Sequence, residues 1–106
     1  MLTCRHALRA LAKGIASHCA RGKLNIRCNS IHPGNTDTPN RVRAAEASGS
    51  REAGLAFLAG FSPLKRLARA GEIADLLAYL ASDGASFITR SKSLTEGGML
   101  AGMASV

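Results

Sequence analysis

The chain has 106 residues, of which 46% are hydrophobic and 20% charged, a balance that suits one small folded domain and excludes a disordered polar chain. It carries 14 Lys and Arg against 7 Asp and Glu, and this net charge of +7 raises the question of a nucleic-acid partner. No apolar run approaches the roughly 18 residues of a membrane span, so we expect a soluble protein with no membrane partner.

The three cysteines form no C-x-x-C pair, so the sequence indicates neither a disulfide framework nor a zinc ribbon. Cys4 and Cys19 would stand about 22 Å apart on one helix, which is beyond disulfide reach. A metal set drawn from His18, Cys19, Cys28 and His32 matches no usual zinc spacing. We therefore expect no metal site, reduced thiols and a cytoplasmic location.

Apolar residues at helical spacing predict a first helix from Leu2 to Arg21, and Gly22 is a natural end for it. Alternating apolar and polar residues then predict a strand from Leu24 to Ile31. Pro33 and Gly34 favour a turn after this strand, because proline cannot donate a hydrogen bond to a sheet.

The middle of the chain has a less regular pattern, with two short helices predicted over residues 41–47 and 52–61. Its small residues and glycines favour a mobile flap over a rigid core. A clearer helix is predicted from Glu72 to Ala81, followed by a strand around Ser93 to Glu96. Two strands joined through a helix should be parallel, with a right-handed crossover.

The segment that begins at Asn29, N-S-I-H-P-G-N-T-D-T-P, resembles the N-x-x-x-P-G-x-x-x-T-P signature of short-chain dehydrogenase/reductases. The later segments P-L-K-R, G-E-I-A and L-A-S-D resemble the next landmarks of this family, in the same order. S-F-I-T and E-G-G resemble its closing segment, usually written S-x-I-T-G and D-G-G. Two departures there are Arg90 in place of the usual glycine and Glu96 in place of the usual aspartate.

The resemblance covers nearly the whole chain and implies an α/β fold, a partial Rossmann-like doubly wound parallel sheet. The chain, residues 1–106, would be the C-terminal part of a single domain, with the last two strands of the family and their flanking helices. It implies a fragment of an oxidoreductase that uses NAD or NADP to interconvert an alcohol and a ketone. In the complete enzyme this segment would supply part of the nicotinamide site, a substrate flap and subunit contacts.

The resemblance also implies specific cofactor contacts near the strand-end turn, where the glycine would let the backbone approach the nicotinamide closely. The implied contacts are Arg5, Pro33, Gly34, Thr36 and Thr38. Met1 and Arg5 occupy the positions of the catalytic tyrosine and lysine of the family. A thioether cannot transfer a proton, and a guanidinium is a different donor from an ammonium, although Arg5 could hold a ribose hydroxyl.

Neither a Gly-rich phosphate-binding turn nor a Y-x-x-x-K pair occurs in the 106 residues. Tyr79 is the only tyrosine, and the residue four positions later is Asp83. We therefore expect a truncated chain with no catalytic residues, weak or no cofactor binding and no hydride transfer by itself.

Leu55, Phe57 and Leu58 have two interpretations. They would line an apolar substrate pocket if this segment is the flap of the family, or they would be the packing face of a short amphipathic helix.

Two functions outside catalysis remain open. In the resembling family, the helix that corresponds to Leu2–Arg21 contributes to subunit pairing together with the helix before it. An unpaired strand edge also favours self-association, so the alternative is a homo-oligomeric interaction module. Arg5, Arg9 and Lys13 form a basic stripe, but no aromatic residue is interleaved with them. A solvated helix face explains that stripe more simply, and we do not expect a nucleic-acid partner.

Overall fold

The computed structural model describes residues 2–103, and the side chains of residues 4–101. It divides into two compact units. The first unit comprises Met1–His32 and Leu76–Ser93, and the second comprises Pro33–Asp75 and Leu94–Val106. Met1, at the position of the catalytic tyrosine of the resembling family, lies outside the described residues.

Helix α1 covers Leu2–Arg21, as the apolar periodicity predicts. It ends at Gly22, whose N–H donates to the carbonyl of His18 at 3.0 Å. Lys23 then takes a left-handed backbone with a φ of 53°, which turns the chain away from the helix axis.

The buried face of α1 is made of its small residues. Ala12, Ala16 and Cys19 are buried, whereas Leu8 and Leu11 are 60% and 59% exposed. The apolar residues of α1 therefore divide into a packed row of small side chains and an exposed row of large ones, which also includes Ile15.

The first strand lies later in the chain than the alternation predicts. Strand β1 covers Ser30–Pro33, so the predicted bounds of Leu24 to Ile31 are wrong, and Pro33 belongs to the strand. Its partner β4 covers Lys92–Thr95, close to the predicted position. Because β4 is only four residues long, the residues before Ser30 have no strand to pair with. Pro33 is tolerated because β1 is an edge strand of a two-stranded sheet within the described residues.

Strands β1 and β4 pair as neighbours in one sheet. The N–H of Ser30 donates to the carbonyl of Ser91, and the N–H of Gly34 donates to the carbonyl of Thr95. From the first bond to the second, the residue number rises by four on each strand, so the two strands run in the same direction. The pair is therefore parallel, as predicted.

Arginine and asparagine side chains replace ladder bonds just before β1. Arg27 donates to the carbonyls of Leu80, Ser82 and Ile88 at 2.7, 3.1 and 3.2 Å. Asn29 donates to the carbonyl of Ile88 at 2.9 Å and accepts from the N–H and the hydroxyl of Ser91. These bonds satisfy carbonyls that a helix end and a turn leave free.

The second unit contains a short parallel pair that periodicity does not reveal, β2 at Thr36–Asp37 and β3 at Ala68–Arg69. Its helices are α2 at Pro39–Ala47 and α3 at Arg51–Gly60, near the predicted positions. A Cβ on Gly54 would lie 2.7 Å from the Cβ of Ala45, so the glycine lets α3 approach α2 closely.

Helix α4 covers Ala70–Ala81, beginning two residues before the prediction. A 3₁₀ turn follows at Asp83–Ala85, and the last described helix is α5 at Met99–Met103. Among residues 2–103, no helix is long and apolar enough to cross a membrane.

Candidate functional site

The chain leaves the carboxyl end of β1 through a tightly held turn in the second unit. The N–H of Gly34 donates to the carbonyl of Thr95 at 3.0 Å, and the carbonyl of Asn35 accepts from the N–H of Ala68 at 3.0 Å. The turn therefore belongs to both strand pairs. Ligands of open α/β sheets bind beyond the carboxyl ends of the strands, which is where this turn lies.

Glycine at position 34 has a structural reason that differs from the one expected. A Cβ there would lie 2.8 Å from the Cα of Glu96 and 2.9 Å from its Cβ. The neighbouring backbone of Glu96 thus requires the glycine, whether or not a nicotinamide approaches the same turn. The P-G pair alone carries no information about a ligand.

The two threonines of the turn differ in what their hydroxyls do. Thr36 donates to the carbonyl of Gly34 at 3.2 Å, so its hydroxyl serves the turn itself. Thr38 stands at the N-cap of α2 with extended backbone angles, yet its side chain makes no capping hydrogen bond. By contrast, Ser50 at the N-cap of α3 accepts the N–H of Ala53 at 3.3 Å. Among the described residues, the Thr38 hydroxyl therefore has no hydrogen-bond partner, and it lies at the start of a helix.

A hydrogen bond joins the predicted flap to the turn. Asn35 donates from Nδ2 to the carbonyl of Leu58 at 3.0 Å. Leu55 and Leu58 are half-buried, while Phe57 is 69% exposed and meets Phe61 edge to face at 5.0 Å between ring centroids. The segment is thus a helix packed on α2 that still presents an aromatic surface, and both interpretations of these residues retain support.

Arg5 belongs to the first unit, on the first turns of α1, and its side chain is exposed. Burial lowers the pKa of His32, and the nearby charges of Lys92, Arg9 and Arg5, followed by His6, lower it further. Arg5 therefore lies within electrostatic reach of the residue that precedes Pro33 in the sequence.

A cavity of about 430 Å³ lies within the second unit. Apolar side chains such as Leu64, Ile73 and Leu94 line part of it, and the hydroxyl of Thr95 is buried there without a hydrogen-bond partner among the described residues.

The charged groups of this cavity are already engaged. Arg66 binds Glu72 through two contacts of 2.8 Å, and Glu96 accepts the N–H of Leu100 at 3.0 Å. Hydrogen bonds from Arg66 and from the N–H of Arg69 lower the pKa of Glu72 from 4.5 to about 2. Glu72 is therefore ionised near neutral pH and is no proton donor there. Within the described part of the chain, no three His, Cys, Asp or Glu residues lie together as metal ligands would.

Sequence reasoning identified the turn but missed Asn29 and Arg27 as the residues that fix its approach. Asn29 is the first letter of the N-x-x-x-P-G pattern, and its bonds to Ile88 and Ser91 show that it acts as a clamp. No local signal marks either role, since the partners lie more than 50 residues away.

Comparison with known proteins gives the same family as the residues. The family described as enoyl-(acyl carrier protein) reductase matches residues 1–100. Trans-4-hydroxycyclohexanecarboxylate dehydrogenase of Sinomonas cyclohexanicum is 42% identical over 81 residues, which cover 76% of this chain and 27% of that protein.

Solved structures agree with this assignment. Ligand-free aldohexose dehydrogenase of Thermoplasma acidophilum superposes with a TM-score of 0.84 at 36% identity, over 93% of this chain and 40% of that one. L-sorbose reductase of Gluconobacter frateurii, solved with NADPH and L-sorbose, gives a TM-score of 0.82 at 29% identity, over 90% and 38% of the two chains.

The chain belongs to the short-chain dehydrogenase/reductase family, and its α/β architecture is that of the Rossmann-type members. It spans 27% and 38% of the lengths of two of the curated relatives that it matches, roughly a third.

Proposed function

We propose that this chain supplies the nicotinamide side of a dinucleotide site in an NAD(P)-dependent oxidoreductase that interconverts an alcohol and a ketone. The observation that carries the proposal is the turn after β1, which leaves the hydroxyl of Thr38 uncommitted beside the N-terminus of α2. A hydroxyl and helix N–H groups together suit a carboxamide or a phosphate oxygen.

The residues present fit one part of the cofactor. Pro33, Gly34 and Thr36 shape the turn, Thr38 would bind the carboxamide or the pyrophosphate, and Arg5 would contact a ribose hydroxyl. The bound nicotinamide would accept or deliver the hydride. The Gly-rich turn that cradles the pyrophosphate and the Y-x-x-x-K pair are absent from the 106 residues, so we expect weak or no binding and no turnover by this chain alone.

The helix pair α2 and α3 would cover the substrate, with Leu55, Phe57 and Leu58 as its apolar lining. The exposure of Phe57 and its contact with Phe61 support an apolar substrate surface over a polar one. The relative with a hydroxycyclohexanecarboxylate substrate is compatible with a cyclic secondary alcohol. The three cysteines carry no disulfide, which supports a reducing, cytoplasmic location.

The second candidate function is a homo-oligomeric interaction module. It is favoured by an apolar face on α1 made of Leu8, Leu11 and Ile15. All three side chains are exposed, so this face is open to a second copy of the chain. Gel filtration at micromolar concentration tests it: a dimer or larger species supports pairing through this face, and a monomer that persists as concentration rises argues against it.

Cofactor binding is tested by titrating NADH and NADPH to millimolar concentration and following nicotinamide fluorescence. Thr38→Ala should weaken binding about fivefold, the equivalent of one neutral hydrogen bond of roughly 1 kcal/mol. Ser50→Ala is the matched control, because it removes a hydroxyl from the other N-cap and should leave the Kd unchanged. Equal Kd values for wild type and Thr38→Ala would contradict the proposal.

A further inference from the structure

The net charge of the protein is confined to one of its two units. The first unit contains eight Lys and Arg residues and one acidic residue, Asp83, whereas the second contains six of each sign. The whole excess of +7 therefore lies on the first unit. Seven of its eight cations have no carboxylate side chain within their own unit to neutralise them, so the unit has a strongly positive field.

The structure also extends the basic stripe of α1 beyond the helix. Arg5, Arg9 and Lys13 follow one another at intervals of four residues and span about 12 Å along the helix axis. Lys92, on the exposed side of β4, belongs to the same unit as α1, and its charge lowers the pKa of His32 as the charges of Arg9 and Arg5 do. We call these four cations the basic surface. A solvated helix face would explain the three cations of α1, but it would not explain a lysine contributed by a strand.

The arrangement on α1 distinguishes between two kinds of polyanion. An interfacial helix places cations on both sides of an apolar face that enters the membrane. Here the exposed row of Leu8, Leu11 and Ile15 lies about 130° around the helix from the stripe, and the buried row of small residues stands between them. A flat lipid surface cannot contact both, so the geometry disfavours a membrane. A ligand that carries several phosphates in a line, and needs no apolar contact, matches the stripe.

We propose that the basic surface of the first unit binds the sugar–phosphate backbone of nucleic acid without reading base sequence. No aromatic residue is interleaved with the three cations of α1, so the proposed contact with the backbone needs no base stacking and is electrostatic. Such binding weakens steeply with salt, by about 0.9 in the slope of log K against log salt for each phosphate contacted on a duplex. Four cations predict a slope of about −3.6 on a duplex and about −2.8 on a single strand.

The test measures fluorescence anisotropy of a labelled duplex and a labelled single strand of the same length over a range of salt concentrations. The double substitution R9Q/K13Q should raise the Kd and reduce the duplex slope to about −1.8. Lys92→Gln, on the strand, should reduce it by about 0.9 and guards against a helix variant that folds poorly. The matched control R41Q/R43Q removes the same charge from α2 in the neutral unit and should leave the slope unchanged.

Several outcomes would overturn the proposal. Equal losses in R9Q/K13Q and R41Q/R43Q would show attraction to net charge rather than to this surface. Absence of binding to either nucleic acid at low salt would refute it directly. Vesicles of phosphatidylserine and phosphatidylcholine that bind more tightly than the duplex, and lose that binding in R9Q/K13Q, would assign the surface to lipid instead.

Discussion

Removal of the Thr38 hydroxyl should barely change stability, whereas removal of the Ser50 hydroxyl should destabilise the fold. Both residues stand at helix N-caps with extended backbone angles, but only Ser50 accepts a backbone N–H, that of Ala53 at 3.3 Å. Loss of a capping bond costs about 1 kcal/mol. We therefore expect Ser50→Ala to lower the free energy of unfolding by about 1 kcal/mol and Thr38→Ala by clearly less.

The assay is thermal and urea unfolding followed by circular dichroism at the helical band, with both variants and wild type at one pH and salt concentration. A loss of about 1 kcal/mol corresponds to a fall in Tm of roughly 4–8 °C for a domain of this size. If Thr38→Ala lowers Tm as much as Ser50→Ala, the Thr38 hydroxyl caps α2 in solution. It would then not be available to a ligand, and the reasoning that selects it as a binding group would fail.

Four further predictions concern other elements. Arg27→Met should lower the free energy of unfolding by about 2–4 kcal/mol, since three carbonyls lose a charged donor, and amide exchange at the end of α4 should accelerate relative to a control Arg21→Met. Arg90 has a φ of 62°, a left-handed backbone that favours glycine. Arg90→Gly should therefore raise the free energy of unfolding by about 1 kcal/mol and raise Tm, and a lower Tm would contradict the left-handed backbone. The pKa of Glu72 is lowered from 4.5 to about 2, so the stability that its ionised form contributes is present above pH 4.5 and lost as pH falls toward 2. Glu72→Gln should flatten the dependence of Tm on pH in that window, and an unchanged acid profile would contradict the ion pair. The pKa of His32 is lowered below 6.5, first by burial and then by Lys92 and its other cationic neighbours, so stability should fall as pH drops below 6.5. His32→Gln should remove that fall, and an NMR titration that places its pKa at or above 6.5 would contradict this account.

The helices α1 to α4 were predictable from the sequence because their signals are local, whereas the short α5 was not predicted. Apolar spacing and Gly22 fix the bounds of α1, and the same spacing places α4 within two residues of its start. Which apolar residues of α1 are buried was not predictable, because tertiary packing covers the small side chains Ala12 and Ala16 and leaves the larger Leu8 exposed.

The strands were harder to predict because a strand exists only where a partner reaches it. Alternation from Leu24 onward predicts a strand, but β4 pairs only with Ser30–Pro33. The β2–β3 pair has two residues on each strand, too few for any periodicity.

For the candidate site, the Pro-Gly pair correctly located the turn, but its local pattern could not reveal three facts. The uncommitted hydroxyl of Thr38, the approach of Glu96 to Gly34 and the clamp at Asn29 all depend on three-dimensional packing. The confinement of the net charge to one unit likewise requires knowing which distant segments fold together.

The central claim, a nicotinamide-binding turn after β1, is tested most directly by NMR with isotope-labelled protein, comparing NADH with ADP-ribose. The two ligands share the adenosine and the pyrophosphate, and only NADH carries the nicotinamide. We predict amide shifts at Thr36, Asp37 and Thr38 with NADH that ADP-ribose does not reproduce. Identical shifts with both ligands, or shifts confined to the basic surface on α1, would show that the turn does not recognise the nicotinamide.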